Sequence, residues 1–286
     1  MARIKVITDS TVDLPSGYQS ELSVDVIPLH VIWGEEKFLD NVNLTPEEFY
    51  RRLPISKVMP TTSQPSPQEF VDLYSKHFPH HDGILSIHIS SGLSGTVDSA
   101  LQAKSILGAD NNIEVVDSRF TSLGTGFQVI AAARAAKNGA SLQECKKIAE
   151  HVRNTTRIYF VVNTLEFLKR GGRIGGASAL LGSALDLKPI LFIKDGKIEA
   201  FDKVRTMKKA LIRMAEIFEH EMKGQSSIYL GLSQATAPDN CQILKQEIFS
   251  RFSNDDFHEI IESGLSPVIG VHAGPGAMAL CFASAE

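Results

Sequence analysis

The chain of 286 residues has three cysteines, one tryptophan and no apolar run approaching the ~20 residues that a membrane helix needs. Cys145, Cys241 and Cys281 are odd in number and far apart. None is paired at the two-to-four-residue spacing of a zinc or redox motif, so a disulfide scaffold is set aside and reduced thiols of a cytoplasmic protein are expected. The opening residues, Met1-Ala2-Arg3-Ile4-Lys5-Val6-Ile7-Thr8-Asp9, never run beyond two consecutive apolar side chains, which leaves no signal-peptide core. An excess of positive charge is missing too. With 29 Lys and Arg against 33 Asp and Glu, the net charge of -4 argues against general nucleic-acid or anionic-membrane binding. Internal repeats and low-complexity linkers are also absent. What remains is an ordinary globular composition, 43% hydrophobic and 22% charged, of a length that favours about two domains.

The first half alternates β-branched runs with helical patterns, the rhythm of βαβ units and a Rossmann-like parallel sheet. Ile4–Thr8, Val24–Pro28, Ile84–Ile89 and Ile113–Asp117 read as strands, and Trp33–Phe38, with Gly34, as a small hairpin. Thr45-Pro46-Glu47-Glu48 and Ser66-Pro67-Gln68-Glu69 each set a capping hydroxyl before a proline and a glutamate at the third helical position, so each opens a helix. Two more helices follow, one through Phe127–Lys137 and one opened by Ser141-Leu142-Gln143-Glu144. The pattern changes near residue 160. Beyond it, Pro189–Ile193 and Lys197–Phe201 flank Asp195-Gly196, a hairpin turn dipeptide, and predict antiparallel pairing. A long helix from Thr206 to about Met222 follows, then strand Ile228–Leu232, helix Asp239–Phe252, strand Phe257–Glu262, a short helix from Pro267 and strand Ala277–Phe282. The expected architecture is an N-terminal α/β domain, 1–160, and a C-terminal α+β domain, 161–286, with a mixed or antiparallel sheet.

Four polar or glycine-rich segments carry chemistry: Thr8–Thr11, Thr61–Ser66, Ser90–Thr96 and His272–Ala277. The first and third follow strands of the parallel sheet, whose carboxyl ends are where ligands bind, so they should share one crevice. In Ser90-Ser91-Gly92-Leu93-Ser94-Gly95-Thr96 the glycines let backbone approach a ligand, three hydroxyls supply donors, and a helix starting there favours a small anion. The same hydroxyls serve equally well as helix caps. Asp9 and Asp117 each end a strand and qualify as catalytic acids or as turn residues. Ser94 with His272 and an aspartate invites a hydrolase triad, although Gly95 and Thr96 do not match a nucleophile elbow. Lys169-Arg170-Gly171-Gly172-Arg173 fits neither phosphate-loop spacing and reads as a helix end followed by glycine turns, or as a docking surface. Pro79 breaks any helical face that would aim His77, His80 and His81 at one metal, so no metal site is expected. Arg205, before the long helix, suits a carboxylate or phosphate clamp or a surface ion pair.

Taken together these motifs resemble the DegV family, whose members include the fatty-acid-binding subunit of bacterial fatty acid kinase. The match is collinear: Ile7-Thr8-Asp9-Ser10, Thr62-Ser63-Gln64-Pro65, Ser91-Gly92-Leu93-Ser94-Gly95-Thr96, Val116-Asp117-Ser118, Leu168-Lys169-Arg170-Gly171-Gly172-Arg173-Ile174 and His272-Ala273-Gly274-Pro275-Gly276-Ala277. The resemblance implies a two-domain α/β protein with a long-chain fatty acid buried between the domains and its carboxylate on the hydroxyls of Thr62 and Ser94. It further implies that His272 and Arg205 lie near that headgroup for a later phosphoryl step, and that the kinase chemistry belongs to a separate ATP-binding subunit. Lys169, Arg170 and Arg173 are candidates for docking it. The chain would then be a carrier with no cofactor beyond the bound acid.

The energetics suit that role. Each buried CH₂ contributes about 0.8 kcal/mol, so a chain of ~16 carbons offers roughly 12 kcal/mol before ordering costs. A neutral hydroxyl pair holds the carboxylate without the desolvation cost of a buried salt bridge. Ile87–Ile89, Ala179–Leu187, Ile190–Ile193 and Val268–Val271 are apolar enough to line a tunnel or to be plain core. Two enzyme readings stand beside the carrier: a serine hydrolase of acyl esters through Ser94 and His272, and a phosphate-ester or nucleotide enzyme built on the glycine loops.

Overall fold

The computed structural model describes residues 2–108, 111–181 and 187–285. The strands in chain order are β1 (Ile4–Asp9), β2 (Asp25–Ile27), β3 (His30–Trp33), β4 (Glu36–Leu39), β5 (Thr61–Ser63), β6 (Gly83–His88), β7 (Ile113–Asp117), β8 (Arg157–Val161), β9 (Lys188–Lys194), β10 (Lys197–Val204), β11 (Ile228–Gln234), β12 (Phe257–Gly264) and β13 (Met278–Ser284). The helices are α1 (Ser16–Glu21), α2 (Pro46–Arg52), α3 (Pro67–His77), α4 (Thr96–Leu107), α5 (Ser122–Lys137), α6 (Leu142–Thr155), α7 (Glu166–Arg170), α8 (Met207–Met222), α9 (Pro238–Phe249) and α10 (Pro267–Ala273).

The strands form a parallel sheet, order β2-β1-β6-β7, and a mixed sheet, order β10-β9-β8-β13-β11-β12, in which only β11 and β12 run parallel. Their alternating side chains dictate the layering. In the parallel sheet Val6 and Leu85 face α5 and α6, whereas Ile7 and Ile84 face Phe70 and Tyr74 of α3 and Ala100 and Ala103 of α4. The mixed sheet turns Ile158, Tyr229 and Cys281 to the other side of α5 and α6, and Leu230, Leu280 and Phe282 to α8 and α9. Helix α5 is therefore packed between two sheets. Its first nine residues, Ser122 to Ile130, are all buried, and the polar ones among them, Ser122, Thr125 and Gln128, are hydrogen-bonded within the layer.

The capping signals act as their residue types require. The Thr45 hydroxyl accepts from the Glu48 amide, and both Ser66 with Glu69 and Ser141 with Glu144 form reciprocal capping boxes. Asp195 (φ +48°) and Gly196 (φ +78°) are both left-handed, the geometry a two-residue hairpin turn needs between β9 and β10. β8, which spans position 160, belongs to the mixed sheet.

A third sheet, β4-β3-β5, is antiparallel and small. Its apolar side, with Val31, Trp33, Phe49 and Leu53, packs with Val162, Leu191 and Val268, so this early segment roofs the mixed sheet of the second half. No described helix is long and apolar enough to cross a membrane.

Candidate functional site

Where the carboxyl edge of the parallel sheet, the roof and the mixed sheet converge, they leave a cavity. About 90 Å³ of it is open to the centre of a water molecule, so it is a narrow slot. Its length is apolar: Ile89 after β6, Ile158 and Phe160 of β8, Ile193 of β9, Ile198 of β10 and Ala279 of β13 supply much of the wall. Thus Ile89, Ile193, Val268 and Ile269 are the wall members of the three runs Ile87–Ile89, Ile190–Ile193 and Val268–Val271; the run Ala179–Leu187 lies partly outside the described residues.

Polar groups gather from loops and strand ends. β5 is three polar residues whose register with β3 pairs Val31 with Thr62. That pairing sets Thr62, Ser63 and Gln64 along the cavity. Opposite them, α10 carries His272, whose Nε2 lies 2.8 Å from Thr62 Oγ1. From the parallel sheet, the loop after β6 brings Ser94, whose hydroxyl pairs with that of Thr96 at 2.9 Å. Arg173 crosses from the second half: its Nε donates to the Leu93 carbonyl at 3.1 Å and a terminal nitrogen to that of Gly171 at 2.7 Å.

Burial, with the Arg173 charge nearby, lowers the His272 pKa to about 4, so the imidazole is neutral at pH 7. Its Nδ1 is buried without a hydrogen-bond partner among the described residues. In the tautomer with the proton on Nε2, the ring donates to Thr62 Oγ1, and the Thr62 hydroxyl keeps its own proton for a ligand. The Ser94–Thr96 pair likewise keeps one proton spare. Two neutral donors beside one guanidinium suit an anionic group, and an arriving carboxylate would draw the imidazole pKa upward.

The other segments resolve differently. Asp9 is a structural junction: it accepts from the Thr11 amide and hydroxyl, the Ile89 amide and His88 Nδ1. Thr8–Thr11 therefore shares the sheet edge with the Ser90 loop but does not line the cavity. Asp117 accepts from the Ser91 amide and hydroxyl and from the Arg119 amide. A hydrolase triad is not assembled. His272 engages Thr62 instead of Ser94, and its Nδ1 lacks the acid that would orient it. Lys169 and Arg170 sit exposed in the last turn of α7, Arg170 paired with Glu166 at 2.7 Å. The chain leaves that turn through a bond from the Arg173 amide to the Leu168 carbonyl, a helix-end motif. Arg205 is exposed at the end of β10, outside the cavity wall. Among the described residues no group of three or more His, Cys, Asp or Glu is arranged to hold a metal ion.

Sequence reasoning missed Thr121 and Ser122 at the start of α5 as wall residues, whereas Gln64 lies within the polar segment Thr61–Ser66. Gly171 was legible only as a turn. A Cβ on it would fall 2.1 Å from His272 Nδ1. Its φ of -72° is open to alanine and the next nearest group is the Phe167 carbonyl oxygen at 3.2 Å, so Gly171→Ala acts mainly through the imidazole. The variant is expected to fold, to break the His272–Thr62 bond and to raise the imidazole pKa toward its ordinary 6.5. A histidine NMR titration checks this; an unmoved pKa would refute it.

The family model described as "Uncharacterised protein, DegV family" matches residues 3–285. A DegV domain-containing protein of Halalkalibacterium halodurans is 38% identical over 285 residues, 99% of each chain. Among solved structures, a DegV family protein of Thermus thermophilus described for its fatty acid binding superposes with a TM-score of 0.92 at 37% identity, covering 99% of each chain. DegV of Bacillus subtilis, described as a fatty acid binding protein, gives 0.91 at 33% identity, covering 99% of this chain and 100% of that one. The fold is theirs throughout, and the chain belongs to the DegV family.

Proposed function

We propose that this protein is a cytoplasmic carrier that binds a long-chain fatty acid in the slot between its two halves, divided close to residue 160, and presents the carboxylate to an ATP-dependent kinase subunit for acyl-phosphate formation. The observation that carries the reading is the composition of the cavity: apolar walls along the slot, with the hydroxyls of Thr62 and Ser94, His272 and Arg173 set into them from loops and strand ends. That combination matches an acyl chain bearing one anionic head. The fatty-acid binding described for the Thermus and Bacillus relatives supports the ligand class.

Thr62 and Ser94 take the carboxylate in this reading, with His272 against it. Arg205 and Lys169 are reachable only from solvent, so their role is with a group brought from outside, the kinase or its phosphate. A run of contacts connects Arg205 to the headgroup loop. Its neighbour Val204 pairs with Lys188, Lys188 reaches Asn163, and Asn163 donates to the Pro275 carbonyl. Arg170, exposed beside Lys169, joins that docking role, and Arg173, which lines the cavity, would take part in it only from the headgroup side.

The test is native mass spectrometry of the protein purified from a bacterial host, followed by denaturing extraction. A released mass of ~250–285 Da identified as a fatty acid is the expected result, given the ~16-carbon chain such a slot would reward. Protein that arrives empty and refuses added fatty acid would overturn it.

A further inference from the structure

The helix that carries His272 is held at its other end by two carboxylates from distant parts of the chain. Asp13 Oδ1 accepts from the Ser266 amide at 2.9 Å, and Asp40 Oδ1 from the Val268 amide at 3.1 Å. Asp13 follows β1, and Asp40 follows β4, so the pair ties the parallel sheet and the roof to the first turn of α10. Both side chains are buried, Asp13 at 6% and Asp40 at 1% exposure. Among the described residues the second oxygen of each is buried without a well-formed hydrogen bond, although the hydroxyls of Ser122 and Ser266 bear on Asp13 and those of Ser10 and Ser266 on Asp40; the hydroxyl of Tyr50 on α2, which packs against Gly270 of the same helix, is buried and open as well. A few serine hydroxyls do not offset the burial of two like charges, which is costly unless one carboxyl keeps a proton.

We propose that Asp13 and Asp40 are positioning residues for the headgroup site: while at least one of them keeps a proton they seat α10 and thereby the Thr62–His272 contact, and when both ionise the second buried charge loosens the helix and weakens ligand retention. The ligand half of this rests on the fatty-acid reading above. Burial pushes each carboxyl up from 3.8 to about 7, with the charge of Asp40 adding to the rise at Asp13 and that of Asp9 to the rise at Asp40. The other titratable groups bearing on the pair are Asp9 beside Asp40, the Tyr50 phenol, the Cys281 thiol of β13, and His272 at the far end of α10. Burial raises the Tyr50 and Cys281 pKa values, which keeps both neutral near pH 7, and His272 is already neutral there. Among the carboxyl pair, Tyr50, Cys281 and His272, it is therefore the pair that changes charge near pH 7. The sign follows. Between about 4 and 7 the folded protein holds more protons here than the unfolded chain, so stability from this region falls as pH rises through that window.

The test measures binding of cis-parinaric acid at pH 6.5 and 8.5 by wild type, Asp13→Asn and Asp40→Asn, with thermal unfolding and the His272 imidazole shift at both values. Wild type is expected to bind about tenfold more weakly at the higher pH, and each asparagine variant, which mimics the protonated acid, to lose less than about twofold. Variants that keep the wild-type ratio, or that weaken binding equally at both pH values, would overturn the proposal. Should the variants not fold, carboxyl carbon NMR of wild type decides: one buried aspartate must titrate between pH 6 and 8. A protein that binds no fatty acid at either pH defeats the fatty-acid reading. The positioning claim is then judged by the His272 shift, which must move with pH in wild type and stay still in the variants.

Discussion

Replacing Thr62 and Ser94 together by alanine is expected to weaken fatty-acid binding at least 100-fold and to leave the protein largely empty when purified. A hydrogen bond to a charged group is worth roughly 1.5–3 kcal/mol, and losing two takes about 3–6 kcal/mol from the headgroup. Folding should be little affected. Thr62 sits on the short edge strand β5 and Ser94 in a loop, each only partly buried, and neither is part of a cap box. The double variant also removes the partner of His272 Nε2, so its imidazole signal should shift in parallel. Isothermal titration with palmitate at fixed pH measures the loss. Each single variant should cost about tenfold, and Thr62→Ser, which restores the hydroxyl, should recover most of its share. Unchanged uptake by the double variant would remove the carboxylate from this end of the cavity.

How much of this site was legible in the sequence depends on what holds each residue. Ser66 and Glu69, or Asp195 and Gly196, act within a few residues of themselves, so their helix start and turn were readable and are present. β5 was not readable, because Thr61-Thr62-Ser63 has no apolar alternation and becomes a strand only by pairing with β3. The first turns of α5 were hidden for a related reason. Ser122-Leu123-Gly124-Thr125-Gly126 has two glycines and reads as loop, yet it lies between two sheets where small residues permit close packing. The positions of Thr62, Ser94 and His272 came from family resemblance, and the structure brings His272 to Thr62 with Ser94 on the same cavity. Arg205 lies in none of the collinear motifs and was implied by the resemblance alone; its exposure at the end of β10 leaves its role with a group brought from solvent. Asp13 and Asp40 gave no signal at all: two ordinary acids 27 positions apart meet only through the first turn of α10.

A cavity-filling change should separate tail from head. Ala279 of β13 lies between Phe160 of β8 and Ser233 of β11 in register, lines the slot, and is 7% exposed. Its neighbour Leu280 points the opposite way into the core under α8, so a phenyl at position 279 has the slot to enter. Ala279→Phe is expected to displace about four methylenes of the acyl chain, a loss near 3 kcal/mol or ~200-fold in affinity for a 16-carbon acid. The empty protein should melt no lower than wild type, because the ring fills space instead of opening it. The pattern across chain lengths is the informative part. Loss of the Thr62 and Ser94 hydroxyls should weaken short and long acids by the same factor, whereas Ala279→Phe should penalise a ~16-carbon acid far more than an ~8-carbon one, since only the longer tail must pass the ring. Equal binding of the long acid by Ala279→Phe and wild type would mean that the acyl chain does not run along β13, and the slot would have to be assigned another guest.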